Sequence, residues 1–425
     1  MRINILFIII FTLSKVNVKK IKINFERKRN ENSKIYFMEE YLWNNIITKL
    51  KVGSNKKEIN FSIRLQEYPL ILIGENTVTE YEKYNSSLSK SYKKLNEKHI
   101  LSSFTFYSNS TLSEENFFIE NNNLNLQFLL TNEINIDSGI KEIGIIGLGI
   151  QDPTLNHNLI KETNLIFQLK KNNLISDLIF TIKFINDFQG EIILGENNYN
   201  IYDNKNNLEG FNFIKTENLN GIFFWGINFD EIYINNNIID YDVVVKFKIE
   251  LNIIKPNSQV LEYLKKMFFD DLTKDKNCFI NELNEENDYY YSCNKNIDIK
   301  KFPQIKFYLK PFQQEFILNY NDLIIENNNL YYFLIIFRNY PQGFEVGFPF
   351  MKKYYFLFDY DTKSIGIFKE GNQRFNYFNF LIIIFVIIII ILILYYIYYF
   401  RKENRRKRIN EVEDNYDYIP HNLMG

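Results

Sequence analysis

Between Ile59 and Ile367 the chain keeps returning to one arrangement: short runs in which every second residue is apolar. That period of two constrains the fold more than any other feature. It recurs in Ile59-Phe61-Ile63, Leu70-Leu72, Leu178-Phe180-Ile182, Ile192-Leu194, Ile305-Phe307-Leu309, Tyr355-Leu357 and Ile365-Ile367. Asn-rich and Asp-containing clusters separate the runs, at Asn121 to Asn123, Asp203 to Asn207, Asn235 to Asn237 and Asn327 to Asn329, and read as turns. An all-β domain is therefore expected, with a few short helices at its edges. The helices read from the pattern are Ser258 to Phe269, with Val260, Leu261, Leu264 and Phe268 on one face, and a shorter stretch from Leu159 to Leu169. Aromatic residues make up 17% of the chain, 40 Phe and 30 Tyr among them, which is sheet-compatible bulk that a disordered chain would not carry.

The two ends are apolar for a different reason. Arg2 precedes an apolar run from Ile5 to Leu13 that is too short to cross a bilayer but suits the hydrophobic part of a leader, so residues 1–17 are expected to be a signal peptide. Phe380 to Phe400 is uninterrupted apolar sequence of about the length that ~30 Å of hydrocarbon requires. Tyr395, Tyr396, Tyr398 and Tyr399 cluster at its end, followed at once by Arg401, Lys402, Arg405, Arg406, Lys407 and Arg408. That order places a transmembrane helix at 378–400 and a cytosolic tail at 401–425, a type I topology with the bulk of the chain luminal or extracellular in the secretory pathway. In the tail, Tyr416 with Ile419 three positions on fits a tyrosine-based sorting signal. The net charge, -1 from 50 basic and 51 acidic residues, gives nothing for a nucleic acid to bind; the partners expected are a membrane and a peptide or protein.

Export changes how the polar residues read. Cys278 and Cys293 are the two cysteines, and in an exported domain they are better taken as one disulfide than as a metal site. Asn60, Asn85 and Asn109 each open an N-glycosylation sequon, with Asn60 inside a strand pattern. His99, His157 and His421 are the three histidines, no Gly-x-Ser-x-Gly is present, and the glycines of Ile143 to Gly149 have no Lys after them, so triads and phosphate loops find no support. No metal and no cofactor are expected.

Several segments, taken in order, resemble the pepsin-like aspartic protease family. Ile143 to Gly149, IGIIGLG, looks like the family's hydrophobic-hydrophobic-glycine segment behind the first active-site loop. Gly190 to Gly195 looks like the strand closing the first lobe, and Phe224-Trp225-Gly226-Ile227 with Asp230 to Ile234 like the hairpin opening the second. Val346 to Phe368, VGFPFMKKYYFLFDYDTKSIGIF, resembles the last glycine loop and the strands after it, and Phe302 to Phe307 the family's Leu-Pro-x-Ile-x-Phe strand. The resemblance implies a two-lobed domain over residues 36–370, the first lobe about 36–200 and the second about 201–370. It also implies a flap over the cleft, for which Phe106 and Tyr107 are candidates, and a late disulfide where Cys278 and Cys293 stand.

The same register removes the chemistry. Active members carry an Asp-Thr/Ser-Gly loop in each lobe, and two carboxylates sharing one proton activate a water. Counting from Gly53, the first loop falls on Arg64-Leu65-Gln66-Glu67; counting back from Pro256, the second aspartate falls on Phe247. Glu67 and Glu250 lie nearby, without the glycine that lets the loop wrap a carboxylate. Asp137-Ser138-Gly139 matches by letter but sits just ahead of IGIIGLG, where the family has no catalytic loop, and Phe348 follows Gly347 where an acid is usual. The expectation is a pseudoenzyme that binds a peptide or protein in the cleft. Two other readings stay open: a divergent aspartic-type endopeptidase, and a glycosylated surface or adhesion scaffold.

Overall fold

The structure, a computed structural model, describes residues 20–27, 46–75, 77, 83–102, 106–136, 144–150, 162–196, 210–219, 222–283, 288–338, 343–368 and 389–405. The described residues fall into two units, divided between Phe368 and Lys369.

In the first half of the larger unit the strands are β1 (Ile21–Arg27), β2 (Ile46–Val52), β3 (Lys57–Arg64), β4 (Leu70–Ile73), β5 (Lys93–Ser102), β6 (Phe106–Ile119), β7 (Asn122–Ile136), β8 (Gly144–Gly147), β9 (Ile179–Phe184) and β10 (Gln189–Leu194), with helix α1 (Leu165–Lys171) between the last two pairs. The second half adds β11 (Phe211–Lys215), β12 (Asn218–Leu219), β13 (Ile222–Phe223), β14 (Gly226–Ile234), β15 (Asn237–Phe247), β16 (Ile254–Lys255), α2 (Ser258–Leu264) and α3 (Asp270–Lys274). It continues with β17 (Cys278–Leu283), β18 (Asp288–Asn294), β19 (Ile305–Leu309), β20 (Gln314–Leu318), α4 (Tyr320–Leu323), β21 (Ile324–Asn327), β22 (Leu330–Phe333), β23 (Phe344–Val346), α5 (Phe348–Lys353), β24 (Phe356–Asp359) and β25 (Ser364–Phe368). The period of two thus becomes strand nearly everywhere it was read, and the expected all-β, two-lobed architecture is present.

One sheet joins the halves, in the order β11-β25-β24-β9-β10-β1-β2-β3-β8-β4-β7-β6-β5. The seam is β24 against β9, with Leu357 opposite Thr181 and Phe358 opposite Phe180. A six-stranded sheet, β16-β23-β15-β14-β19-β20, forms the body of the second lobe. β1 lies upstream of residue 36 and pairs with β10 along its length, Ile21 opposite Leu194 through Glu26 opposite Gln189. One buried cluster runs through both lobes, from Ile21, Phe25 and Phe61 to Trp225, Phe247, Phe358 and Ile367.

The Asn clusters at 235–237 and 327–329 act as the turns their chemistry suggests, while Asp203 to Asn207 lies outside the described residues. Asn235 and Asn236 join β14 to β15, and Asn328 and Asn329 join β21 to β22, with φ positive at Asn235, Asn328 and Asn329. Asn tolerates the left-handed region better than most residues, which suits tight hairpins. Gly53, at φ 84°, does the same between β2 and β3.

Helices depart from expectation in detail. The segment from Ser258 is α2, then a π-helical turn over Lys265–Phe269, then α3. A π turn rotates the following residues relative to an α-helix; here both Phe268 and Phe269 are buried, and Phe269 stacks on Tyr291 with ring centroids 4.0 Å apart. The stretch read as Leu159 to Leu169 is helical at Glu162 and Thr163 and again over Leu165–Lys171, where Asn164 caps the second helix by accepting from the Ile166 amide; residues 151–161 lie outside the described ones.

The smaller unit is described over 389–405, a helix holding Tyr395 to Tyr399 and the first basic residues. Among the described residues no helix is long and apolar enough to cross a membrane. The segments read as signal peptide, the remainder of the apolar span, and Tyr416 with Ile419 lie outside the described residues, as do Asp137-Ser138-Gly139, His157 and His421.

Candidate active site

Arg64 ends β3, a strand whose alternate residues Ile59, Phe61 and Ile63 are buried, so Arg64 and Ser62 occupy the other face. β3 runs parallel to β8, with Ile63 opposite Ile146 and Arg64 opposite Gly147. In the second lobe β15 runs parallel to β23, with Lys246 opposite Glu345 and Phe247 opposite Val346. The two halves therefore repeat one device, a strand leading into a loop beside a parallel strand that runs into a glycine, Gly147 at the end of β8 and Gly347 just after β23.

The glycine segments pass close behind both loops. Gly147 donates its N–H to the Pro69 carbonyl at 3.1 Å and Gly149 to Glu67 at 2.6 Å; Gly347 donates to Ile253 at 3.1 Å and Phe348 to Leu251 at 2.7 Å. A Cβ on Gly147 would lie 2.5 Å from the Tyr68 backbone, and one on Gly347 only 2.1 Å from the Leu251 carbonyl oxygen. Glycine is required at both by close approach.

This register corrects the placement of the second-lobe position. Phe247 stands opposite Val346, one residue short of Gly347, whereas Arg64 stands level with Gly147. Phe247 is also on the core face, 2% exposed, against Phe356 at 4.8 Å and Phe350 at 6.0 Å. The residue level with Gly347 is Lys248, whose amide donates to the Val346 carbonyl at 2.9 Å. Counting from Pro256 missed this; the alternation of buried Val243, Val245 and Phe247 with Lys246, Lys248 and Glu250 carried it. Arg64 and Lys248 thus hold equivalent places in the two halves, each level with a glycine.

A backbone relay ties the two positions together. Leu148 donates to the Arg64 carbonyl at 2.8 Å, the Trp225 indole N–H donates to the Leu148 carbonyl at 2.7 Å, and Phe247 donates to the Trp225 carbonyl at 2.8 Å. Trp225 is buried against Phe180, Phe358 and Tyr360, rings from both lobes. Asn164, the α1 cap, adds Nδ2 bonds to the Tyr68 and Gly147 carbonyls at 2.8 and 3.3 Å. Arg27 of β1 bonds Asn252 and the Asp187 carbonyl, and its guanidinium lies 3.3 Å from the centre of the Phe348 ring. The aromatic face receives that cation where the family usually places an acid.

Charge around Lys248 is dense. Its Nζ pairs with Glu345 at 2.6 Å, and Lys246 and Lys255 flank Glu345 on the neighbouring strands. Burial works against the Glu345 charge, but Lys248, by charge and hydrogen bond, holds that carboxyl below the ordinary range. Burial pushes Lys255 down to about 8. Arg338 pairs with Asp288 at 2.8 Å. Glu250 is different: burial raises its carboxyl despite the charges of Lys248 and Arg64, and its Oε2 is buried without a hydrogen-bond partner. Arg64, 7% exposed, donates through Nε to Ser62 Oγ at 3.4 Å.

A model of the eukaryotic aspartyl protease family matches residues 48–369. The chain belongs to that family. No curated protein matches it. At the two positions level with the glycines this chain carries Arg64 and Lys248, the latter paired with Glu345. Glu67 is buried in the first loop and offers its backbone oxygen to Gly149. Phe106 and Tyr107, the flap candidates, open β6 at the end of the β5–β6 hairpin, Tyr107 opposite Ser102; residues 103–105 between the strands lie outside the described ones.

The remaining sites are placed as follows. Cys278 and Cys293 form a disulfide between directly opposed positions of β17 and β18. Asn60 is half-buried within β3, Asn109 sits in β6, and Asn85 caps a short 3-10 turn, accepting from the Ser87 amide and hydroxyl at 2.9 and 2.6 Å. His99, in β5, lies 3.6 Å from Glu97. Among the described residues no three His, Cys, Asp or Glu side chains converge to hold a metal.

Proposed function

We propose that this aspartyl protease family member has no proteolytic activity and binds a peptide or protein segment in the cleft between its lobes, as an exported protein held to a membrane by its C-terminal helix. The observation that carries the reading is the pair Arg64 and Lys248, level with Gly147 and Gly347. The flanking strands remain able to pair with an extended chain, since strand-like recognition needs no carboxylate. The test is incubation of the purified full-length chain with a complex peptide mixture from acidic to neutral pH, read by mass spectrometry. No new peptide termini are expected; pepstatin-sensitive cleavage would overturn the proposal.

One observation favours a second reading. Glu250 holds a raised carboxyl close enough to Arg64 to feel its charge, the kind of group a divergent acid mechanism would use. On that reading cleavage appears and Glu250→Gln or Glu67→Gln abolishes it.

The apolar segment from Phe380, the tyrosines and the basic run after it support membrane anchorage, and the leader with three sequons supports export. Expressed in eukaryotic cells, the chain should stay with membranes through alkaline extraction and shift in mass on glycosidase treatment; release into the supernatant without a shift contradicts this part.

A further inference from the structure

The cations around the second loop have their counterparts. Lys248 pairs with Glu345, Arg338 with Asp288, and Arg27 with Asn252, a carbonyl and a ring. Arg64 contrasts with them. It is 7% exposed, its hydrogen bond is the 3.4 Å contact to Ser62, and among the described residues no carboxylate lies within ion-pair distance of it. A guanidinium has five donors in a planar fork that matches the two oxygens of a carboxylate. Held this far from water with one long bond, it is poised for an anion that arrives with a ligand.

We infer that Arg64 receives a carboxylate of the bound peptide, so that the cleft selects acidic or free-ended chains where active relatives place their own carboxylates. The inference rests on the proposed reading of the cleft as a peptide site. The nearby Glu250 does not compete for the role, because burial favours its neutral form, and its unpartnered Oε2 leaves it able to donate to the second oxygen of an incoming carboxylate. The carboxylate has two possible sources, an Asp or Glu side chain within the peptide or the peptide's C-terminus.

The experiment presents three pools of octapeptides to the full-length chain, each randomised except at one central position. One pool has Glu there and capped ends, the second Gln and capped ends, the third Gln and a free C-terminal carboxylate. Captured peptides are quantified by mass spectrometry. Enrichment of the first or third pool over the second by about tenfold, abolished in Arg64→Met and partly kept in Arg64→Lys, is expected, and the enriched pool names the source. Equal capture of all three overturns the carboxylate inference and leaves the peptide cleft standing. Capture of none overturns both. If Arg64→Met fails to fold, the comparison of pools on the unaltered chain still decides.

Discussion

Lys248 and Phe247 differ by one position and lie on opposite faces of one strand, and that difference fixes what each can do. Phe247 is a core ring within an aromatic cluster; Phe247→Ala should cost about 3–5 kcal/mol in urea unfolding, as a large buried ring truncated in a packed core does. A loss below about 1 kcal/mol would contradict its core placement. Glu250 gives a prediction of opposite sign. The folded state keeps its proton above the ordinary value of 4.5 while the unfolded chain releases it, so the folded state binds more protons and stability falls as pH rises through that window. Glu250→Gln should flatten this slope and, at neutral pH, leave stability unchanged or raised by about 1 kcal/mol. A variant markedly less stable than the unaltered chain at pH 7 would show that the carboxylate is charged and paired, and an unchanged slope would show that Glu250 does not set the pH dependence. Lys255 works the other way: its value near 8 means that the burial penalty is relieved as pH rises from there toward 10.5, a gain of about 3 kcal/mol that Lys255→Met should remove.

At the scale of elements, the paired parallel strands and their glycines hold the candidate site. Gly347→Ala would drive a Cβ to 2.1 Å from the Leu251 carbonyl, contact with backbone that cannot swing away. It should therefore destabilise by about 2–4 kcal/mol, measurable as a lowered thermal midpoint. Reduction of Cys278–Cys293 removes a link across two already paired strands and should cost about 3 kcal/mol by the loop-entropy estimate, with the rest of the fold intact. The strands were legible because a period of two survives the Asn and Ile bias of this chain, as in Ile59-Phe61-Ile63 and Ile305-Phe307-Leu309. The π turn after Leu264 was not, since nothing in Lys265 to Phe269 marks where an α-helix takes an extra residue; the choice is made by Tyr291 and Phe302 packing on Phe268 and Phe269. The count from Gly53 reached Arg64, the last residue of β3. Lys248 was hidden by counting from Pro256 through a loop whose length is not fixed, while the alternation around Phe247 already placed that ring in the core. Glu345, Arg338 and Asp288 join the site only through strand pairing, at separations no local pattern spans.

For the whole molecule, one sheet and one core join two lobes that repeat the same strand, loop and glycine arrangement, and Trp225 bridges them by donating to Leu148. The scaffold of the aspartyl protease family is therefore kept, and on the proposed reading both positions that face its reaction are cationic. A transition-state mimic of the pepstatin type binds such enzymes through a hydroxyl set between two carboxylates, so it tests this substitution directly. Calorimetric titration of the purified full-length chain with such an inhibitor, from acidic to neutral pH, should give no heat of binding, and the same samples should cleave no peptide. Stoichiometric binding that strengthens at acidic pH, accompanied by inhibitor-sensitive cleavage, would mean that two carboxylates do meet in the cleft and that Arg64 and Lys248 do not stand where the reaction occurs.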